Sequence, residues 1–378
     1  MLRLYQRIDL KQVVHYCQIV GEGAGVATVV LLGTLDTKGE EYAFLARQIA
    51  ADGCEVVLID AGIIGTPGTS ATIGREEVAE AAGTTIAALA GAGDRGAAIA
   101  TMARGATAIV ARLHAEGRLD GIVGLAGSGG TALIAEAMRA LPIGVPKLLV
   151  STVASGDTRA YVGATDLTMM YSVVDIAGIN RISAQILGNA AAAIAGMARH
   201  HAAALSADTV TATKPLIGAT MFGVTTPCVT EARRLLEAAG YEVLVFHATG
   251  TGGQALEGLV RGGFLAGVLD ATTTELADEL VGGILSAGPT RLTGAAATGL
   301  PQVVSLGALD MVNFGPRETV PPQFAGRNLY VHNSAVTLMR TTPEECAELG
   351  RRVAARLNAS QGPTAVFIPT RGISAIAG

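Results

Sequence analysis

VATVVLLGTLDTKGEEYAFLARQIAADGCEVVLID, residues 26–60, decides the fold. Val26 to Leu32 is an unbroken apolar run rich in β-branched residues that stops at Gly33, the pattern of a buried strand entering a turn. From about Gly39 to Ala51 the apolar residues recur at helical spacing, Gly53 closes the helix, and Glu55 to Asp60 is the next strand. Strand, helix and strand in this order make a right-handed βαβ unit.

The grammar continues downstream. A long helix is expected around Ala97 to Glu116, a strand at Gly121 to Leu125, a helix at Thr131 to Ala140 and a strand at Lys147 to Val150. After an Ala-rich helix from Asn180 to about Leu205 it restarts: LIGATMFGVTTPCVTEARRLLEAAGYEVLVFH, residues 216–247, repeats strand, glycine turn, helix, glycine stop and strand. Further strands are expected at Ala266 to Leu269, Gln302 to Ser305, Leu329 to Val331 and Ala365 to Ile368, with helices from about Thr274 and at Pro343 to Leu357. The fold class is therefore α/β: two Rossmann-like lobes with parallel sheets, the second an internal duplicate of the first. Residues 26–205 and 212–378 are the lobes, the polar stretch 206–213 is the linker, and residues 1–25 are an N-terminal extension set apart from both.

Composition narrows the function classes. A net charge of −5, spread along the chain without a basic block, argues against a nucleic-acid ligand. Cys17, Cys54, Cys228 and Cys346 are far apart and form no C-x-x-C pair, so neither a disulfide framework nor a zinc site is suggested, and a reducing cytoplasm fits. The longest apolar helical run, Ile186 to Ala198, is too short to span a bilayer, and charged residues interrupt the first 25 positions where a signal peptide would need an apolar core.

In open parallel sheets ligands gather beyond the carboxyl ends of the strands, so the strand-to-helix turns are the candidate sites. The first holds Gly33, Thr34, Asp36, Thr37, Lys38 and Gly39; unpaired N–H groups at a helix start attract an anion, and Lys38 is one of only four lysines among 27 basic residues. The second holds Gly127, Ser128, Gly129, Gly130 and Thr131, where glycines let a ligand approach the backbone closely. Ser151 and Thr152 end the following strand on the same rim. Each of these stretches has a plain alternative, helix capping or turn chemistry. No Walker A motif occurs.

In the second lobe Asp270 and Glu275 lie at a strand end: either Thr273 with Glu275 and Asp278 caps the helix, or Asp270 and Glu275 face a cleft as Mg²⁺ ligands or an acid/base pair. His247 and His332 also end strands and are candidate general bases, each with a purely structural alternative, and Arg327 precedes the second. No G-x-S-x-G elbow or H-E-x-x-H helix occurs, which sets aside serine hydrolases and zinc proteases.

GTLDTKGEE with its strand, LAGSGGT (125–131), VDIAGINRIS (174–183), DATTTELAD (270–278), SLGALDMVNFGP (305–316) and HNSAVTLMRTT (332–342) resemble the Tm-1-like ATP-binding family, UPF0261. The likeness runs from about Val26 to the C-terminus. It implies an ATP-binding protein of two Rossmann-like subdomains, a homodimer, with no settled reaction. By motif, the GTLDTKG and GSGGT turns are where the resemblance places the nucleotide, Mg²⁺ being a possible companion. Asp310, Asn313, Arg327, His332 and Asn333 fall in matching motifs of less defined task. Residues 1–25 do not resemble the family's start, and the segment ending at Gly378 resembles a family loop that normally runs on into another helix.

Three functions compete on this reading. The first is ATP binding on the first lobe, with hydrolysis or transfer open. The second is an enzyme acting on a small oxo- or sugar acid, with His247, His332, Asp270 or Glu275 as acid/base groups and Arg327 clamping a carboxylate. The third is a two-lobed small-molecule binding module that closes on its ligand.

Overall fold

The computed structural model of the protein describes residues 25–206 and 214–374. The expected N-terminal extension and nearly all of the linker lie outside the described residues. The chain divides into two compact units, Met1–Thr209 and Val210–Gly378.

The first unit is built on five parallel strands: β1 (Thr28–Gly33), β2 (Glu55–Asp60), β3 (Gly121–Ala126), β4 (Lys147–Ser151) and β5 (Thr168–Tyr171), in the order β2-β1-β3-β4-β5. Its principal helices are α1 (Leu35–Ala51), α2 (Arg95–Ala115), α3 (Ser128–Arg139) and α4 (Arg181–Ser206). Alternation along β1 separates two cores. Val30 and Leu32 pack with Met102, Ile109 and Leu133 of α2 and α3, while Val29 and Leu31 pack with Leu45, Ile49 and Ile194 of α1 and α4. A sheet covered on both faces needs strands that are apolar throughout, which is what β1 and β3 supply.

The second unit repeats this topology. Its parallel strands are β6 (Leu216–Met221), β7 (Glu242–His247), β8 (Gly267–Thr272), β9 (Gln302–Gly307) and β13 (Thr364–Phe367), ordered β13-β9-β8-β6-β7. Counted within the lobe this is again second, first, third, fourth, fifth, so the internal duplication holds at the level of strand order. Between β9 and β13 lies an insertion that breaks the expectation of parallel sheets alone. Here β10 (Met311–Phe314), β11 (Leu329–Asn333) and β12 (Val336–Arg340) form an antiparallel sheet ordered β10-β12-β11. The principal helices are α5 (Thr226–Ala238), α6 (Thr251–Arg261), α7 (Thr274–Val281) and α8 (Pro343–Asn358).

In the first lobe the order reverses between β1 and β3, and this switch point opens a crevice at the carboxyl ends of the strands. The pairing of β1 with β3 stops at Leu31 and Val123. Beyond it Tyr42, fully buried, inserts its hydroxyl between the diverging strands, donating to the Leu32 and Leu125 carbonyls and accepting from the Leu125 N–H at 2.8 Å. The corresponding gap between β6 and β8 is filled by Thr220, whose hydroxyl donates to Asp270 Oδ1 at 2.7 Å and accepts from the Thr272 N–H at 2.9 Å. Thr225 and Thr272 then join hydroxyls across it at 2.7 Å.

Candidate functional site

Because β1, β3 and β4 are neighbours, their carboxyl ends bring Gly33–Gly39, Gly127–Thr131 and Ser151–Thr152 to one rim. The residues then divide into those with a partner inside the protein and those without.

Most side chains of the β1 turn have partners inside the protein. Asp60 Oδ1 accepts the Leu35 N–H at 3.0 Å, so a carboxylate of the protein already occupies the anion position at the start of α1. Gly33 is glycine because a Cβ there would lie 2.0 Å from the Tyr42 hydroxyl, and Gly39 because one would lie 2.6 Å from Gly68 Cα. Thr34 and Thr37 pair their hydroxyls at 2.9 Å. Asp36 accepts the N–H groups of Ile63 and Ile64, and Lys38 Nζ donates to the Ile176 carbonyl. Where the turn was expected to cradle phosphate, Asp60 takes the Leu35 N–H, and Lys38 ties α1 to the segment after β5.

The glycines after β3 are not a loop but the first turn of α3. Gly127 is the N-cap, with extended φ −76° and ψ −172°, and the helix starts at Ser128. Thr131 is not the cap. It is buried, its hydroxyl donating to the Gly127 carbonyl at 2.8 Å and meeting the buried Ser151 hydroxyl at 2.7 Å, which accepts from the Val153 N–H. Thr131 and Ser151 thus support the turn from below and do not face a ligand.

What remains at the surface is bare backbone. The N–H groups of Ser128, Gly129 and Gly130 meet no acceptor among the described residues. The other principal helices of this lobe are closed: α1 by Asp60, α2 by Asp94 accepting from the Ala97 N–H at 3.0 Å, and α4 by Asn180 accepting from the Ser183 N–H at 3.0 Å. Gly130 packs against Ala126, but a Cβ on Gly127 would meet nothing nearer than Thr152 Oγ1 at 4.0 Å, and one on Gly129 nothing nearer than Ile99 Cδ1 at 3.8 Å. Neither glycine has positive φ. Backbone strain and internal packing therefore leave both unexplained.

In the second lobe the acidic candidates are interior. Arg291 is fully buried; its Nη2 reaches Asp270 Oδ1 at 2.6 Å, its Nη1 reaches Asp270 Oδ2, and its Nε reaches Glu275 Oε2 at 2.7 Å, with Glu257 at 3.7 Å. Glu275 also accepts the Gly250 and Gly253 N–H groups at the start of α6, and Glu257 accepts those of Leu292 and Gly294. Burial pushes both glutamate carboxyls up against the pull of Arg291, while Asp270 and Glu275 outweigh burial and keep Arg291 charged. Asp270 and Glu275 are thus neither cleft-facing metal ligands nor an acid/base pair, which corrects both readings.

The remaining candidates also find structural partners. Arg327 forms a two-pronged pair with Glu345 at 2.9 and 2.7 Å and donates to the Arg340 carbonyl, fastening the start of α8, so it is not a free carboxylate clamp. His247 is exposed with its ring stacked 5.5 Å from Phe222, and His332 is exposed beside Tyr330 at 6.4 Å. Neither forms an ion pair with a carboxylate among the described residues. Asp310 holds Arg340 and the Ser374 hydroxyl, Asn313 donates to Thr274 and Asp278, and Asn333 accepts the Ala335 N–H. Among the described residues no group of three or more His, Cys, Asp or Glu side chains is placed to hold a metal, and no helix is long and apolar enough to cross a membrane.

Asp60, Tyr42 and Arg291 were not legible as important residues. Asp60 had one signal, a carboxylate ending a strand beside the first turn; the other two reveal themselves only through partners distant in sequence.

Two doubly wound sheets of one topology, one with an open helix start at its switch point, define a two-lobed Rossmann-like α/β protein. The chain belongs to the UPF0261 family. Residues 27–203 match the model described as "Uncharacterised protein family (UPF0261) N-terminal domain" and residues 214–378 the corresponding C-terminal domain. A UPF0261 protein of Clostridium tetani is 55% identical over 348 residues, covering 92% of this chain and 85% of the relative. The ToMV resistance protein Tm-1 of Solanum lycopersicum is 48% identical over 282 residues, covering 75% of this chain and 37% of the tomato protein. Among solved structures, MurG of Acinetobacter baumannii aligns over 90% of this chain and 85% of its own at 11% identity and a TM-score of 0.23, too loose a likeness to carry an argument.

Proposed function

We propose that this protein binds ATP at the first-lobe switch point, with the nucleotide phosphates seated on the N-terminal turn of α3 and any reaction unassigned. One observation carries the reading: Gly127 and Gly129 lack side chains that neither their backbone nor their neighbours forbid, at a helix start where three N–H groups have no acceptor among the described residues. Such a turn, at the positive end of a 12-residue helix, suits phosphate oxygens. The resemblance of LAGSGGT to the ATP-binding family turn supplies the identity of the anion. In the same resemblance the protein is a homodimer, and we assign it to the cytoplasm; light scattering of the purified protein checks the first.

Calorimetric titration with ATP, ADP, AMP and adenosine tests the site. Affinity is expected to fall with each phosphate removed, and Gly129→Val is expected to weaken ATP at least tenfold while leaving the melting temperature nearly unchanged. Equal binding of adenosine and ATP would contradict the phosphate seat.

A further inference from the structure

Asp36 and Asp60 close on a common space above Gly62. Asp60, which ends β2 and is 1% exposed, takes two backbone donors on Oδ1, Leu35 N–H at 3.0 Å and Gly62 N–H at 2.8 Å, and leaves Oδ2 buried with no partner. Asp36 is built alike: Oδ2 accepts the N–H groups of Ile63 at 3.2 Å and Ile64 at 3.0 Å, and Oδ1 is buried with no partner. A Cβ on Gly62 would lie 2.9 Å from Asp36 Cγ, 3.0 Å from Asp36 Oδ1 and 2.9 Å from Asp60 Oδ1, so the missing side chain leaves a cradle between the carboxylates. A buried carboxylate oxygen without a hydrogen-bond partner is costly to remove from water, and a cation between the two carboxylates would satisfy both. Among the described residues no Lys, Arg or His forms an ion pair with either.

We propose that Asp36 and Asp60 hold a divalent cation, Mg²⁺, at the β1–β2 end of the first-lobe rim. Carboxylate oxygens suit this hard ion, which characteristically takes one or two carboxylates and leaves its other positions to phosphate and water. Asp36 and Asp60 supply such a pair of carboxylates. β2 and β3 are two strands apart in the sheet, about 10 Å at ordinary strand spacing, within the reach of a triphosphate anchored on α3. The sharing with phosphate rests on the nucleotide reading above; the cation seat does not.

The test is Mn²⁺ titration of the whole protein by electron paramagnetic resonance, with and without ATP, in the wild type, Asp36→Asn and Asp60→Asn. Asparagine keeps an oxygen for the backbone donors, so both variants are expected to melt in EDTA at or above the wild-type temperature. The wild type is expected to hold protein-bound Mn²⁺, more tightly with ATP, and each variant to release it at least tenfold more readily and to lose the rise in melting temperature that Mg²⁺ produces. No protein-bound Mn²⁺ in either condition, or binding that both variants leave unchanged, would overturn the seat. ATP binding measured separately in EDTA keeps the two ideas apart: ATP bound by a protein that holds no Mn²⁺ in the titration rejects the seat alone, and Mn²⁺ held by a protein that does not bind ATP rejects the nucleotide alone.

Discussion

At the residue scale the second lobe is organised by Arg291, whose one guanidinium serves Asp270 with both terminal nitrogens and Glu275 with the third. Lysine is a point charge and cannot reproduce that fork. Arg291→Lys is therefore expected to cost about 3–5 kcal/mol, the range for breaking a buried ion pair, read from denaturant unfolding of the second-lobe transition. Asp278 gives a pH prediction. Burial pushes its carboxyl up to about 7, against the bonds donated by Asn313 and Leu285. The folded state thus holds a proton that the unfolded chain releases near the ordinary carboxylate value, so this stabilisation is complete below about pH 4 and is lost as pH rises through 7. Asp278→Asn is expected to melt above the wild type at pH 8 and to lose less stability between pH 5 and 8, with Asn313 turning its unpartnered Oδ1 toward the new amide. A wild type that gains stability over that interval would contradict the burial argument.

At the element scale helix starts are closed repeatedly by acids: Asp60 at α1, Asp94 at α2 and Glu275 at α6. The start of α3 is the first lobe's exception among principal helices. Tyr42 makes the switch point beneath it possible by satisfying backbone groups that the diverging β1 and β3 leave open. Tyr42→Phe strands the buried Leu125 N–H and is expected to cost about 1–3 kcal/mol, with faster amide exchange at Leu125 marking the mechanism. The major elements were legible because β-branched runs end on glycine and helices stop at Gly53 and Gly240, both with positive φ. β5 (TMMY), β10 (MVNF) and β12 were not, since runs this short carry neither alternation nor turn signals. Leu329–Val331 was expected as a strand, but only its partner β12 makes it antiparallel.

At the scale of the whole molecule, one topology is used twice to different ends. The first-lobe switch point keeps an open helix start, whereas in the second a threonine pair bridges the gap and an Arg–carboxylate core lies beneath. The position of a candidate site was legible, because glycines at strand ends mark the rim of a parallel sheet. The division of labour among those glycines was not, since Gly33 answers to Tyr42 and Gly39 to Gly68, while Gly127 and Gly129 answer to nothing inside the protein. That asymmetry is the basis for placing ATP on α3, and Ser128→Asp tests it most directly. A carboxylate in the first turn complements the helix dipole by about 0.3–1 kcal/mol while occupying the phosphate seat with like charge. The account predicts a variant that melts at or above the wild-type temperature and no longer binds ATP by calorimetry; a variant equally stable that binds ATP as the wild type does would contradict it.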